Sequence, residues 1–218
     1  MEKPETKAEP MEKEASRLHW NATYESKRED GVSWFQDSPE PSLSLINEIA
    51  HPGSAIVDVG GGASRLVDNL QEQHFEDVAV LDLSTAAIAA ARSRLAEAGE
   101  QVDWIVADIR TWSPTRLYDV WHDRAAFHFM VEKADRDAYL FTLRQALAPD
   151  GYAIIATFAL DGPEKCSGLP VQRYDANSLA QALGPGFAFV RTLDHLHLTP
   201  WGSSQSFQFS VFRRAPAM

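Results

Sequence analysis

The sequence predicts an α/β fold: a doubly wound, mostly parallel seven-stranded sheet with an antiparallel hairpin at its C-terminal end. Three observations carry this. From residue 42 onward, short apolar runs alternate with helical patterns, the signature of a parallel sheet covered by helices on both faces. The first run, Ile56-Val57-Asp58-Val59, passes directly into Gly60-Gly61-Gly62, a strand-to-helix turn of the kind that admits nucleotide-like ligands. The last two β segments, 187–197 and 205–212, are joined by a loop around Thr199-Pro200-Trp201-Gly202. That loop is too short for a crossover helix, so the two strands pair antiparallel.

Each element follows in order. Residues 42–50 read as a helix closed by the turn Pro52-Gly53. Residues 55–59 are the first strand, 65–74 a helix and 78–81 the second strand. Ser84 is placed to cap a helix through residue 98, rich in Ala, Arg, Leu and Glu. Residues 102–106 and 118–121 are the third and fourth strands, and 134–147 a helix that Asp150-Gly151 ends before the strong β run 152–158. One more short helix is expected over 177–183. Ahead of these elements, residues 17–41 carry His19, Trp20, Tyr24, Trp34 and Phe35 and are expected as a short helix and loop packed over something. Residues 1–16 hold five Glu, three Lys and two Pro with only Met and Ala as apolar content, too little to offset ordering entropy, and are expected as a disordered tail. The folded domain is therefore expected over 42–218.

Composition narrows the function. The chain has 218 residues, 44% hydrophobic and 23% charged, a soluble globular profile for one domain. No run approaches the ~20 apolar residues of a membrane span, and no secretory signal is expected at the N-terminus. A net charge of −11 argues against phosphate-backbone binding, so nucleic acid is not an expected partner. A single cysteine, Cys166, excludes internal disulfides, and the seven His are scattered, so no metal site is expected. A cytoplasmic location is the expectation, and oligomeric state is left open.

The glycine turn comes with acids. Asp58 precedes it, Asp82 ends the second strand about 20 residues on, where an acid meets a ribose, and Asp108 follows the third strand. Arg65 stands where a dinucleotide site wants a small residue, which argues against a nicotinamide-dependent reductase. Three acids without a phosphate-seeking cation among them suit an adenosine ligand that carries positive charge. Capping and turn roles are the plain alternatives for Asp82 and Asp108.

With Tyr118-Asp119-Val120 opening the fourth strand, this pattern resembles the class I S-adenosylmethionine-dependent methyltransferases of the seven-β-strand superfamily, over roughly residues 42–213. The resemblance implies S-adenosyl-L-methionine as cofactor and a methyl-transferring activity (EC 2.1.1.-). It places the methionine part at Asp58, Gly60 and Gly62, with Gly61 in the same turn. The ribose falls to Asp82, and the adenine to Leu83, Asp108 and Ile109. Ser64 stands where the family has a third glycine.

Methyl transfer from a sulfonium is an in-line displacement, so the protein aligns the acceptor, excludes water and supplies a base if one is needed. In such a fold the acceptor sits above the fourth strand, which here runs into Trp121-His122-Asp123-Arg124-Ala125-Ala126-Phe127-His128-Phe129. Asp123 and His122 are the nearest candidates for proton handling, and His128 falls where many small-molecule methyltransferases carry a histidine. The stretch 162–170 is expected as a lid, with Cys166 as a thiol contact and Arg173 and Tyr174 as acceptor-binding groups. The aromatic segment is similar to the entry segment of protein lysine methyltransferases acting on elongation factor 1A or citrate synthase. That likeness implies that it, and Trp20 with it, folds over the cofactor. Asp123 is kept from those enzymes' Asp-Lys-Gly run, but Arg124 and Ala125 depart from it. The expected acceptor is therefore a small molecule, with a protein lysine as the alternative and a non-catalytic cofactor-binding module as the third reading.

Overall fold

Ile56, Val57 and Val59 are shut away from water on both sides of their strand, and the molecule grows outward from that strand. The computed structural model describes residues 10–216. In chain order it contains α1 (Pro10–Ser26), α2 (Ser42–Ile49), β1 (Ala55–Val59), α3 (Leu66–Glu72), β2 (Asp77–Asp82), α4 (Thr85–Leu95), β3 (Asp103–Val106) and β4 (Tyr118–Arg124). There follow α5 (Lys133–Ala146), β5 (Leu147–Phe158), β6 (Lys165–Cys166), β7 (Leu169–Pro170), α6 (Ala176–Leu183), β8 (Phe187–Leu198) and β9 (Ser204–Arg214). Seven strands form one sheet in the order β3-β2-β1-β4-β5-β9-β8. The first five run parallel, and β9 pairs antiparallel with both β5 and β8.

Successive side chains on a strand point to opposite faces, which sorts the core into two layers. Ile56, Val78, Val80, Val120 and Ile154 pack under α2, α3 and α4 through Ile46, Leu70 and Ile88. Val57, Val59, Leu81, Trp121 and Ile155 pack under α5 and α6 through Tyr139, Leu143 and Leu179. Both faces are covered, as a parallel sheet requires. Among the described residues, no helix is long and apolar enough to cross a membrane.

Four departures from the sequence reading matter. The helix α1 begins at Pro10, inside the stretch expected as a tail; residues 1–9 lie outside the described residues. Proline suits a first helical position, Glu14 and Arg17 pair across one turn at 2.6 Å, and Asn21 anchors the helix by accepting from the Ser84 hydroxyl at 2.8 Å. The helix α4 stops at Leu95, and Ala96 with φ +49° opens a 3-10 turn through Gln101. The fourth strand runs on to Arg124, because His122 and Asp123 pair with Ile154 and Ile155 on one side and with Asp58 and Val59 on the other. The expected lid contains a two-residue hairpin, β6–β7, turning through Ser167 at φ +50° and Gly168 at φ +80°.

Asp123 ends this central strand. Its carboxylate, wholly buried, accepts from the backbone N–H of Ala126 at 2.8 Å and of Phe127 at 3.0 Å. It also accepts from the Tyr139 hydroxyl at 2.5 Å, which itself accepts from Trp121 Nε1 at 2.9 Å. Asp123→Ala leaves three buried donors unmet, a cost of about 3 kcal/mol. The expected melting temperature in a calorimetric scan is lower by roughly 6–12 °C.

Candidate active site

A cavity of about 530 Å³ opens at the C-terminal tips of the parallel strands, the crevice where open α/β sheets bind ligands. Its walls divide by element. The tips of β1, β2 and β3 contribute Gly60, Asp82, Leu83, Asp108 and Ile109. The tips of β4 and β5 contribute Arg124 and Phe158, the β6–β7 hairpin Cys166, and the start of β9 Gln205 and Phe207. The last two arrive because β9 runs antiparallel, which sets Phe207 opposite Phe158. Trp20 and Tyr24 of α1, with Trp34, complete the enclosure. Trp20 meets Trp34 and Phe129 edge-on at 5.7 and 5.2 Å between ring centres, and His19 lies 3.3 Å from the Ser167 hydroxyl in the hairpin.

The glycine turn is tight for a specific reason. Gly60 has φ +69°, and a Cβ there would sit 2.8 Å from the Ala126 Cβ; Gly62 has φ +44°, and a Cβ there would sit 2.7 Å from Asp82 Oδ2. Glycine alone lets the backbone pass that close to the β4 turn and to the acid. Asp82 accepts from Ser84 N at 2.7 Å and lies almost wholly out of water. Burial pushes its carboxyl up to about 7 against the help of its backbone donors, with Asp58 adding to the rise. Asp108 is gripped by Arg110 at 2.7 Å, and Arg110 reaches on to Asp135 at 3.2 Å. This end fits an adenosine-bearing cation: a cradle a Cβ would fill, an acid with raised proton affinity at the end of β2, and apolar Leu83 and Ile109 beside it.

Asp58 is not on the cavity wall. It lies 3% exposed with Oδ1 2.6 Å from His122 Nδ1, and His122 Nε2 lies 2.8 Å from the Ser42 hydroxyl. A carboxylate only accepts, so Nδ1 donates to it. The order Ser–His–Asp looks like a hydrolytic triad, but Ser42 is 1% exposed beneath the sheet, where no substrate reaches it.

The other residues singled out in the sequence divide sharply. Gly60, Asp82, Leu83, Asp108, Ile109, Trp20 and Cys166 share the cavity wall, whereas Gly61 and Gly62 lie behind it, against Asp58 and Asp82 respectively. His122, Asp123 and His128, expected at the acceptor, lie off the wall. The extension of β4 turns the first two into paired strand residues. Burial raises the Asp123 carboxyl to about 6, yet its oxygens are committed to the turn. The His128 ring sits between Phe129 and Phe158, with neither nitrogen partnered among the described residues, and burial lowers it to about 3. Arg173 donates to Gly162 O and Glu164, bracing the loop after β5, and Tyr174 stacks on Phe127 at 5.5 Å in the core. Neither lines the cavity, because the chain turns away toward α6. Cys166 does line it, and burial pushes its thiol up to about 12.

Sequence reasoning missed Arg124, Gln205 and Phe207 as site residues. Arg124 stood in view inside the polar run after the fourth strand. The signal for Gln205 and Phe207 was the hairpin itself, since an antiparallel last strand starts where the parallel strands end.

Comparison with known proteins agrees with this geometry. Residues 56–151 match the model of a methyltransferase domain family. Thiocyanate methyltransferase 1 of Arabidopsis thaliana is 27% identical over 202 residues, covering 90% of this chain and 85% of that protein. Among solved structures, a SAM-dependent methyltransferase from Anabaena variabilis has a TM-score of 0.72 at 15% identity, covering 98% of both chains. The 1,6-didemethyltoxoflavin-N1-methyltransferase of Burkholderia thailandensis, solved with 1,6-didemethyltoxoflavin and S-adenosylhomocysteine, has a TM-score of 0.71 at 20% identity, covering 97% of this chain and 92% of that one. At such identities the structures speak for the fold.

The raised Asp82 carboxyl has a measurable consequence. Between about pH 4 and 7 the folded protein holds a proton there that the unfolded chain has released. Stability of the ligand-free protein therefore falls as pH rises through that window. Asp82→Asn removes the slope: its melting temperature is expected above that of the parent at pH 8, by about 2–4 °C per kcal/mol recovered, and equal to it near pH 4.

Proposed function

We propose that the chain is a class I S-adenosylmethionine-dependent methyltransferase that methylates a small soluble molecule, a reading supported by the methyltransferase-domain match over residues 56–151. The observation that carries this reading is the two-ended cavity: an acid-bearing glycine turn at the tips of β1–β3, continuous with an aromatic chamber at the tips of β4, β5 and β9. S-adenosyl-L-methionine, when bound, supplies a methyl group already activated on a positive sulfur. The relatives support the choice of ligand and acceptor class: one was solved with S-adenosylhomocysteine and a toxoflavin precursor, another is named for thiocyanate.

The chain's own residues then have four tasks. Asp82 accepts from the ribose hydroxyls, and Leu83 and Ile109 bracket the adenine while the Asp108–Arg110 pair holds the loop beside it. The turn Gly60 to Gly62 lets the methionine part lie against the backbone, with Asp58 behind it held by His122. Trp20, Trp34 and Phe129 exclude water from the reacting atoms, which keeps the displacement in line and prevents loss of the methyl group to solvent. Asp123 positions the β4 turn between the two ends. In this reading residues 17–41 are the cover of the site, and the compartment is the cytoplasm, in keeping with an acidic chain that carries one cysteine. A small acceptor fits better than a lysine chain, because α1 is tied across the mouth by Asn21 and His19.

Calorimetric titration is expected to show binding of S-adenosylmethionine and S-adenosylhomocysteine and none of NADH. Asp82→Ala is expected to weaken both by about 10- to 100-fold, the worth of hydrogen bonds to a charged group. With a methyl-labelled cofactor in a cell extract, label is expected in the small-molecule fraction; label confined to protein would overturn the acceptor class.

A further inference from the structure

The aromatic end of the cavity holds a positive charge that no acid on the wall pairs with, the Asp58 carboxylate lying behind the wall and committed to His122. Arg124 lies on the wall and donates from Nη2 to the Trp34 carbonyl at 2.9 Å. Among the described residues it makes no ion pair with a carboxylate, unlike Arg65, Arg94, Arg110 and Arg116. The acids on the cavity wall, Asp82, Asp108, Glu132 and Asp135, come from the tips of β2 and β3 and the start of α5. The tips of β5 and β9 and the β6–β7 hairpin contribute Phe158, Cys166, Gln205 and Phe207 to the wall instead, and Tyr24 and Trp34 stand beside Arg124. A guanidinium in such surroundings is costly, and burial lowers its proton affinity, though Asp58, Tyr24 and Cys166 act the other way. The cost rises further when the neighbouring site holds a sulfonium, since like charges then face each other across an apolar chamber.

The same end lacks a proton acceptor. His122, Asp123 and His128 are behind the wall, as shown above. Burial raises both the Tyr24 phenol and the Cys166 thiol, the latter to about 12, so neither is ionised at neutral pH. An amine would arrive as an ammonium, meet Arg124 with like charge, and find no group at this end of the cavity to take its proton. Gln205 Oε1, buried on this wall without a donor among the described residues, marks the end as built to meet a polar ligand.

Taking the proposed methyl transfer as its basis, we propose that the acceptor is an organic anion that enters already deprotonated, with its charge against Arg124 and an N–H or O–H of its remote part on Gln205. A lone pair of the anion forms the new bond to the methyl carbon. The carbon–sulfur bond of the sulfonium breaks with its electron pair passing to sulfur. The anionic and cationic charges cancel, the products are a methylated neutral molecule and a thioether, and no proton has to move.

The test uses the full chain saturated with S-adenosylhomocysteine, titrated calorimetrically with para-hydroxybenzenethiolate at pH 8 and, separately, with benzylamine. The thiolate is expected to bind and benzylamine not. Arg124→Gln is expected to weaken the thiolate about 10- to 100-fold while the affinity for S-adenosylhomocysteine stays within twofold, which also certifies the fold. Arg124→Lys, which keeps the charge, recovers part of the loss. A thiolate that binds no better than benzylamine, or one indifferent to Arg124→Gln, overturns the proposal. Failure of the unaltered protein to take up S-adenosylhomocysteine is a separate result and overturns the cofactor reading beneath it.

Discussion

The working end of this molecule depends on what one buried carboxylate holds. Asp123 collects two backbone N–H groups and the Tyr139 hydroxyl, and so turns the chain sharply at the end of the central strand. That turn carries Arg124 onto the cavity wall and sets Ala126 so close to Gly60 that no side chain fits between them. The glycine turn, the β4 turn and the cavity between them are thus one packed unit rather than three loops. The register makes this unavoidable, since Asp58 lies beside His122 and Val59 beside Asp123. A shift of one residue would turn every side chain of the strand to the opposite face.

Around that unit the protein keeps polar groups where burial disfavours them. Asp82 has its carboxyl raised to about 7, the His128 ring is held neutral between two aromatic rings, and Arg124 stands without an ion-pair partner among the described residues. Each lowers the stability of the ligand-free chain, and each is at or against the cavity. The apolar layers on either face of the sheet bear that cost, with Trp121, Tyr118 and Phe212 almost completely removed from water. Stability thus resides in the two layers of core and recognition at the strand tips, a separation that lets the tips be strained without unfolding the sheet.

Much of the fold was legible because it rests on local signals. The period of apolar residues located the seven sheet strands and the helices from α2 to α6, and Ser84 does accept from the backbone of Ala87 as a helix cap should. The alternation of strand and helix implied the parallel order, and a loop between the last two strands implied the hairpin. Where local signals misled, the tertiary surroundings had overridden them. His122 and Asp123 look like loop chemistry in a linear reading, yet strand neighbours on both sides and the buried partners Asp58, Ser42 and Tyr139 make them structural. The first turns of α1 look too polar to fold, yet the helix is docked farther along by Asn21 and Trp20.

By itself, then, the sequence determined the sheet strands, their parallel run ending in an antiparallel hairpin and the acid-bearing glycine turn, because strand periodicity, glycine and short-range spacing act along the chain. Tertiary structure alone decided which polar groups face the cavity. Arg124, Cys166 and Gln205 are far apart in sequence and meet only because β4, the β6–β7 hairpin and the antiparallel β9 all deliver their ends to one rim. Whether a side chain meets a ligand or a neighbour depends on the strand beside it, and strand pairing across such separations leaves no mark in the linear order of residues.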